Sequence, residues 1–264
     1  MSRSGPSFPD LGARFFSAVF LVILGVGGIG VGGVAFLALL SLVAGLMLWE
    51  LSRMAGGGAG VSAALGMLAA ATTFLAGSPA GYPAVAPVFL APVLGSVLLS
   101  GMRWIFLFYG GAIMAAVLGL FMLRDGGGLL VTLWLVAVVA AADIGGYFFG
   151  RILGGPKILP SISPKKTWSG TLGGWLLAAV VGALFALNPS IGSEWIILGV
   201  LAAVFSQAGD IVESAIKRRC GVKDSSRLIP GHGGFLDRFD ALVGASLFMM
   251  LAGLLIGLPE MAGP

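Results

Sequence analysis

The stretch from Ser214 to Asp240, SAIKRRCGVKDSSRLIPGHGGFLDRFD, holds most of the chain's reactive side chains. Lys217, Arg218, Arg219, Lys223, Arg227 and Arg238 stand there beside Asp224, Asp237 and Asp240, with the one histidine, His232, among them. Asp210 and Glu213 precede it on an apolar run; three residues apart, they share a helix face. Asp237 and Asp240 repeat that spacing. Asp143 lies in another apolar run, about two turns before Arg151. Ionisable groups inside apolar spans are costly and face a polar cavity where they persist. Several carboxylates toward one side, with no thiol or imidazole cluster, suit a hard cation such as magnesium. For any single acid, plain pairing with a nearby Lys or Arg is the alternative.

Two segments could hold phosphate. Ile162 to Gly170, ISPKKTWSG, is kept out of helix by Pro164 and the preceding Pro160. Lys165 and Lys166 can reach a phosphate there, and Ser163 or Thr167 can donate a hydrogen bond or cap the following helix. A topological anchor with a helix cap explains the same residues equally well. Pro230 to Gly234, PGHGG, reads as a tight loop whose glycines let backbone approach a ligand and whose N–H groups could cradle phosphate oxygens. It lacks the spacing of a Walker A loop. His232 reads as a general base, a nucleotide contact or a structural hydrogen-bonder. Cys220 reads as incidental.

The elements that must position these residues are membrane spans. Of 264 residues, 58% are hydrophobic and only 10% charged, and mean hydropathy is +1.05. Soluble domains carry about 25% charged residues. The 44 glycines suit close helix packing in lipid. One cysteine excludes an internal disulfide, and one cysteine with one histidine argues against structural zinc. A net charge of +4, clustered beside hydrophobic spans, points to anionic lipid or nucleotide phosphates rather than nucleic acid. The polar N-terminus runs into an apolar segment without a convincing cleavage site, so the first span is expected to be retained.

The apolar runs predict an all-α polytopic membrane protein of about nine transmembrane helices. They fall near Phe15–Ile29, Val31–Leu51, Val61–Gly77, Ala84–Ser100, Trp104–Leu123, Leu129–Gly150, Thr171–Leu187, Trp195–Ile216 and Asp240–Leu258. With the N-terminus cytoplasmic and the C-terminus outside, alternation puts every one of the fifteen basic residues except Arg124 on the cytoplasmic side. A single membrane domain over residues 1–264 is expected, with 1–125 as lipid-facing scaffold and 126–264 as catalytic helices and cytoplasmic loops. No clean internal repeat supports an inverted-repeat transporter.

The Ser214–Asp240 stretch resembles the signature of the phosphatidate cytidylyltransferases, or CDP-diacylglycerol synthases. The matching positions are Ser214, Lys217-Arg218, Lys223-Asp224, Ser226, Ile229-Pro230, His232-Gly233-Gly234, Asp237-Arg238 and Asp240. The likeness extends to Gly209-Asp210, to Asp143-x-Gly145-x-Tyr147 and to Ser163-Pro164-Lys165-Lys166-Thr167, with Trp49-Glu50 a faint echo in the first half. One departure is Ser169, where relatives often carry Glu. The resemblance implies that CTP and phosphatidate give CDP-diacylglycerol and pyrophosphate in phospholipid biosynthesis. Asp210, Asp237, Asp240, Lys217 and Arg238 would then be catalytic. Magnesium would be held by Asp210, Asp237 and Asp240, with Asp143 and Glu213 behind them; a second, monovalent cation is left open. Ser163, Lys165, Lys166, Thr167, Arg218, Lys223, His232, Gly233 and Gly234 would bind substrate. The expected setting is a multi-pass protein of a bacterial inner membrane, its site toward the cytoplasm; glycine-rich spans permit a homodimer without demanding one. The rivals are a membrane cytidylyltransferase or kinase acting on another lipid, and a transporter using the buried acids as an ion path.

Overall fold

A computed structural model describes residues 11–78, 85–188 and 191–257. Arg3, Ala84 and Leu258, which belong to the expected topology, lie outside the described residues. Among those described, nine α-helices stand in the nine expected places: α1 (Leu11–Val31), α2 (Gly33–Met54), α3 (Ala59–Gly77), α4 (Leu90–Leu98), α5 (Arg103–Gly126), α6 (Gly128–Leu153), α7 (Trp168–Phe185), α8 (Glu194–Arg219) and α9 (Leu236–Ile256). Seven of them are long and apolar enough to cross a membrane. The apolar part of α1, Phe15–Val31, and the Ala86–Leu98 stretch ending in α4 are shorter.

The break between α1 and α2 falls at Gly32, whose φ of 66° ends one helix and lets the next begin. Two expected boundaries shift where it matters. α8 runs on through Lys217–Arg219, and α9 starts at Leu236, so Asp237 sits in its first turn. The basic segment between α6 and α7 is a small antiparallel hairpin, β1 (Lys157–Leu159) and β2 (Ser163–Thr167), with Lys157 opposite Thr167 and Leu159 opposite Ser163.

α2, α5 and α9 form the main core, burying Phe36, Met47 and Leu48 against Phe106, Ile113, Met114 and Met249. A second cluster ties α6, α7 and α8 at their other ends. There Trp134 packs edge-on against Trp195, ring centroids 4.8 Å apart, and Phe185 completes the group. Outward faces are apolar and exposed, as Phe20, Leu75, Phe108 and Leu254 show, which suits a surface solvated by lipid.

Helix direction follows from contacts at the two ends. Ser17 near the start of α1 meets the loop before α9, and Glu50 near the end of α2 meets the same loop. At the opposite end Arg124, late in α5, donates to the carbonyl of Ile29, late in α1, at 2.6 Å. The charged helix ends are thereby gathered at one end of the bundle.

Candidate active site

Helices α6, α8 and α9, the start of α7 and the hairpin wall a cleft of about 790 Å³. α6 supplies Asp143, Tyr147 and Arg151; the hairpin supplies Lys157, Lys165, Lys166 and Thr167. α8 supplies Gln207, Asp210 and Lys217, and α9 supplies Asp237, Arg238 and Asp240. Asp224 joins from the loop between them.

Missing side chains let the acids converge. A Cβ on Gly209 would collide with the Asp240 carbonyl oxygen, and one on Gly244 with that of Phe205. α8 and α9 therefore touch backbone to backbone beside Asp210 and Asp240. On the other wall, a Cβ on Gly145 would stand 2.7 Å from the Gly173 oxygen and one on Gly174 2.6 Å from that of Ala142. This close contact of α6 and α7 places Asp143 across from α8.

Charge is arranged in two layers. In the deeper one, the Lys217 ammonium lies 2.5 Å from Glu213 and 2.6 Å from Asp237. Glu213 is fully buried there and does not line the cleft. The other Asp237 oxygen accepts from the Ser225 backbone N–H, the Ser225 hydroxyl and the Gly234 N–H, each at 2.8 Å. Asp237 thus ties the PGHGG loop to α8. In the open layer, Lys166 lies 2.5 Å from Asp210. Among the described residues no ion pair reaches Asp143 or Asp240. Asp143, Asp210 and Asp240 all line this one cleft.

Oxygen donors are the kind a hard cation takes, though Lys166 already neutralises Asp210. Among the described residues, however, no three His, Cys, Asp or Glu side chains are close enough to hold a metal as they stand. Asp210 is instead engaged by Lys166, and Asp237 by Lys217.

The other expected site residues are held largely by contacts within the protein. Thr167 lines the cleft but also caps α7, accepting from the Gly170 N–H at 3.2 Å. Ser169, at the position of the departure noted above, donates to the Gly154 carbonyl and so braces the hairpin. Ser163 opens β2 opposite Leu159. Arg218 is exposed and donates to the Val222 carbonyl at 3.2 Å; Lys223 is exposed beyond it. In the PGHGG loop, Gly231 and Gly233 have φ of 73° and 82°, and Ile229 bridges to Gly233. The loop N–H groups of His232 and Gly234 are used within the protein, by Ile229 and Asp237. The His232 ring meets the Ser17 hydroxyl at 2.7 Å, away from the cleft.

Glu50, a faint echo in the sequence, is the residue to which sequence reasoning gave no role. Its fully buried carboxylate accepts from the Ser226 hydroxyl at 2.6 Å and the Phe235 and Leu236 N–H groups at 2.9 and 2.7 Å, and at 3.1 Å shares with Asp237 the single hydrogen of the Ser225 hydroxyl. The two N–H groups are orphan donors at the start of α9, where a negative charge also suits the helix dipole. The signal was available: an acid inside the apolar run of α2.

A sequence model described as the Cytidylyltransferase family matches residues 12–255. Relatives named phosphatidate cytidylyltransferase align with the chain over shorter stretches. That of Brucella suis is 44% identical over 158 residues, covering 58% of this chain and 57% of the relative. That of Haemophilus influenzae is 45% identical over 128 residues, 46% and 44% of the two chains. That of Synechocystis is 50% identical over 119 residues, 44% and 40% of the two. The aligned part of this chain thus spans between 40% and 57% of the length of these relatives.

Proposed function

Because the chain belongs to the cytidylyltransferase family, we propose that it is a phosphatidate cytidylyltransferase, converting CTP and phosphatidate to CDP-diacylglycerol and pyrophosphate. The observation that carries this reading is the cleft itself. It joins four acids from three helices with Lys165, Lys166, Lys217 and Arg238 at the charged end of an apolar bundle. A lipid headgroup and a water-borne nucleotide can meet at that level while acyl chains stay in the bilayer.

In this reaction a phosphatidate phosphate oxygen attacks the α-phosphorus of CTP. A new P–O bond forms, and the bond to the β-phosphate oxygen breaks as pyrophosphate leaves. The nucleophile is already an anion, so the protein needs no strong base; it must align two polyanions and offset their charge. Arg238 and Lys165 line the open cleft and would bind phosphate oxygens. Lys166 would exchange its contact with Asp210 for a phosphate. Lys217 holds Asp237 and Glu213 and fixes the floor. Asp143, Asp210 and Asp240 would hold magnesium, which supplies charge neutralisation on the phosphate oxygens when bound. The outward placement of the basic ends supports a cytoplasmic site in a multi-pass protein of a bacterial inner membrane.

The test is incorporation of labelled cytidine nucleotide into lipid by the purified protein in detergent, with phosphatidate, lysophosphatidate and polyprenyl phosphate offered separately. Incorporation with phosphatidate above the others is expected. Preference for another lipid phosphate, or no CTP-dependent product, overturns the assignment.

A further inference from the structure

Arg151 lines the cleft from a helix face that also exposes apolar side chains. It lies four residues after Tyr147 on α6, and both line the cleft. Its guanidinium donates to the Tyr147 hydroxyl at 2.6 Å and sits over the same ring, 5.8 Å from the centroid. No carboxylate pairs with it among the described residues. The same face of α6 exposes Ile144 and Phe148, at 54% and 56%, and Ile152 follows at 75%. Apolar side chains so exposed at the end of a span are covered by acyl chains, and a tyrosine among them is typical of the membrane boundary. The cleft therefore opens sideways to lipid at Tyr147 and Arg151, whereas the other cleft cations without a carboxylate partner among the described residues stand elsewhere: Lys157 and Lys165 on the hairpin outside the spans, and Arg238 in the first turn of α9, donating to the His232 carbonyl.

We propose that Arg151, oriented by Tyr147, is the seat of the phosphate monoester of the lipid substrate, distinct from the cations that take the nucleotide's phosphates. The inference rests on the cytidylyltransferase reading for the identity of the lipid. A planar guanidinium can hold two oxygens of a terminal phosphate, and the tyrosine fixes the plane of that fork. A phosphate reaching the cleft along α6 meets this group before Asp143, about two turns deeper.

Two arms separate lipid phosphate from nucleotide phosphate. In the kinetic arm, Arg151→Gln raises the KM for phosphatidate roughly tenfold or more, as loss of a charge-assisted contact should, while the KM for CTP stays within about twofold. Arg151→Lys keeps the charge without the fork and recovers part of the loss; Tyr147→Phe raises the same KM by less. In the binding arm, fluorescent phosphatidate binds the purified protein in dodecyl maltoside better than fluorescent diacylglycerol does, and Arg151→Gln removes that preference. An equal rise in both KM values, or a preference that survives Arg151→Gln, overturns the inference. Absence of CTP-dependent turnover in the unsubstituted protein sinks the functional reading instead, and the binding arm then decides the Arg151 question alone. Should Arg151→Gln fail to fold, Arg151→Lys and Tyr147→Phe carry both arms.

Discussion

Asp237 and Glu50 show how differently two acids a few ångströms apart can serve one site. Asp237 spends one oxygen on Ser225 and Gly234 and the other on Lys217. Asp237→Asn puts an amide where four donors converge, so turnover should fall roughly 10²-fold or more while the protein remains folded in membranes. Near-normal steady-state rates in that variant would remove Asp237 from the machinery. Glu50 touches no cleft space, yet four donors of the loop and of the start of α9 point at it. Glu50→Gln leaves at least one buried donor unsatisfied and should lower stability by about 1–3 kcal/mol and reduce kcat, with substrate KM values less affected. A thermal-unfolding scan beside a full kinetic set checks both parts. The acids at the cleft were legible because an aspartate in the middle of an apolar run stands out. Glu50 was legible only as a faint echo, since it lies near the end of its apolar run, close to Arg53; its role needed the fold that brings its donors to it. That Lys217 would bridge Glu213 and Asp237 needed the fold: one partner is four residues away, the other twenty.

At the scale of the element, helix contacts without side chains set the geometry. Gly209 and Gly244 bring α8 and α9 together beside Asp210 and Asp240. Gly209→Ala should push the two helices apart, costing about 1–3 kcal/mol, and depress activity more than a comparable change far from the site. Gly199→Ala is the control: a Cβ there would stand 3.3 Å or more from its neighbours, far from the charged end. Equal activity in the two variants would contradict this account of the helix pair. The nine described helices were readable from hydropathy as apolar runs between polar or glycine-rich breaks, but seven of them, not nine, are long and apolar enough to cross a membrane. The hairpin was not readable: two strands of three and five residues, interrupted by Pro160 and Pro164, are too short to show an alternating pattern. The sequence still excluded helix there, for the right reason.

For the molecule as a whole, the distribution of basic residues predicts an orientation that labelling can test. Cys220, the only cysteine, caps α8 at the charged end and is half-buried. Burial pushes its thiol up, against the pull of Arg219, so labelling needs mildly alkaline buffer. A membrane-impermeant maleimide should label Cys220 in inside-out vesicles and spare it in intact spheroplasts. The reverse pattern would invert the topology. The shared space of Asp143, Asp210 and Asp240 also predicts a response to divalent ions. Magnesium should raise the unfolding temperature of the purified protein, and Asp240→Asn should abolish that rise. An unchanged rise in the variant would remove Asp240 from the cation site. Activity should be lost with a chelator and return with added magnesium.

The central claim is that this cleft joins the α-phosphorus of CTP to a lipid phosphate. CTP labelled separately at the α- and γ-phosphate, incubated with purified protein and phosphatidate, tests it most directly. The account predicts that α-label enters lipid while γ-label leaves, mole for mole, as pyrophosphate. Transfer of γ-label to lipid, or entry of neither, would contradict it.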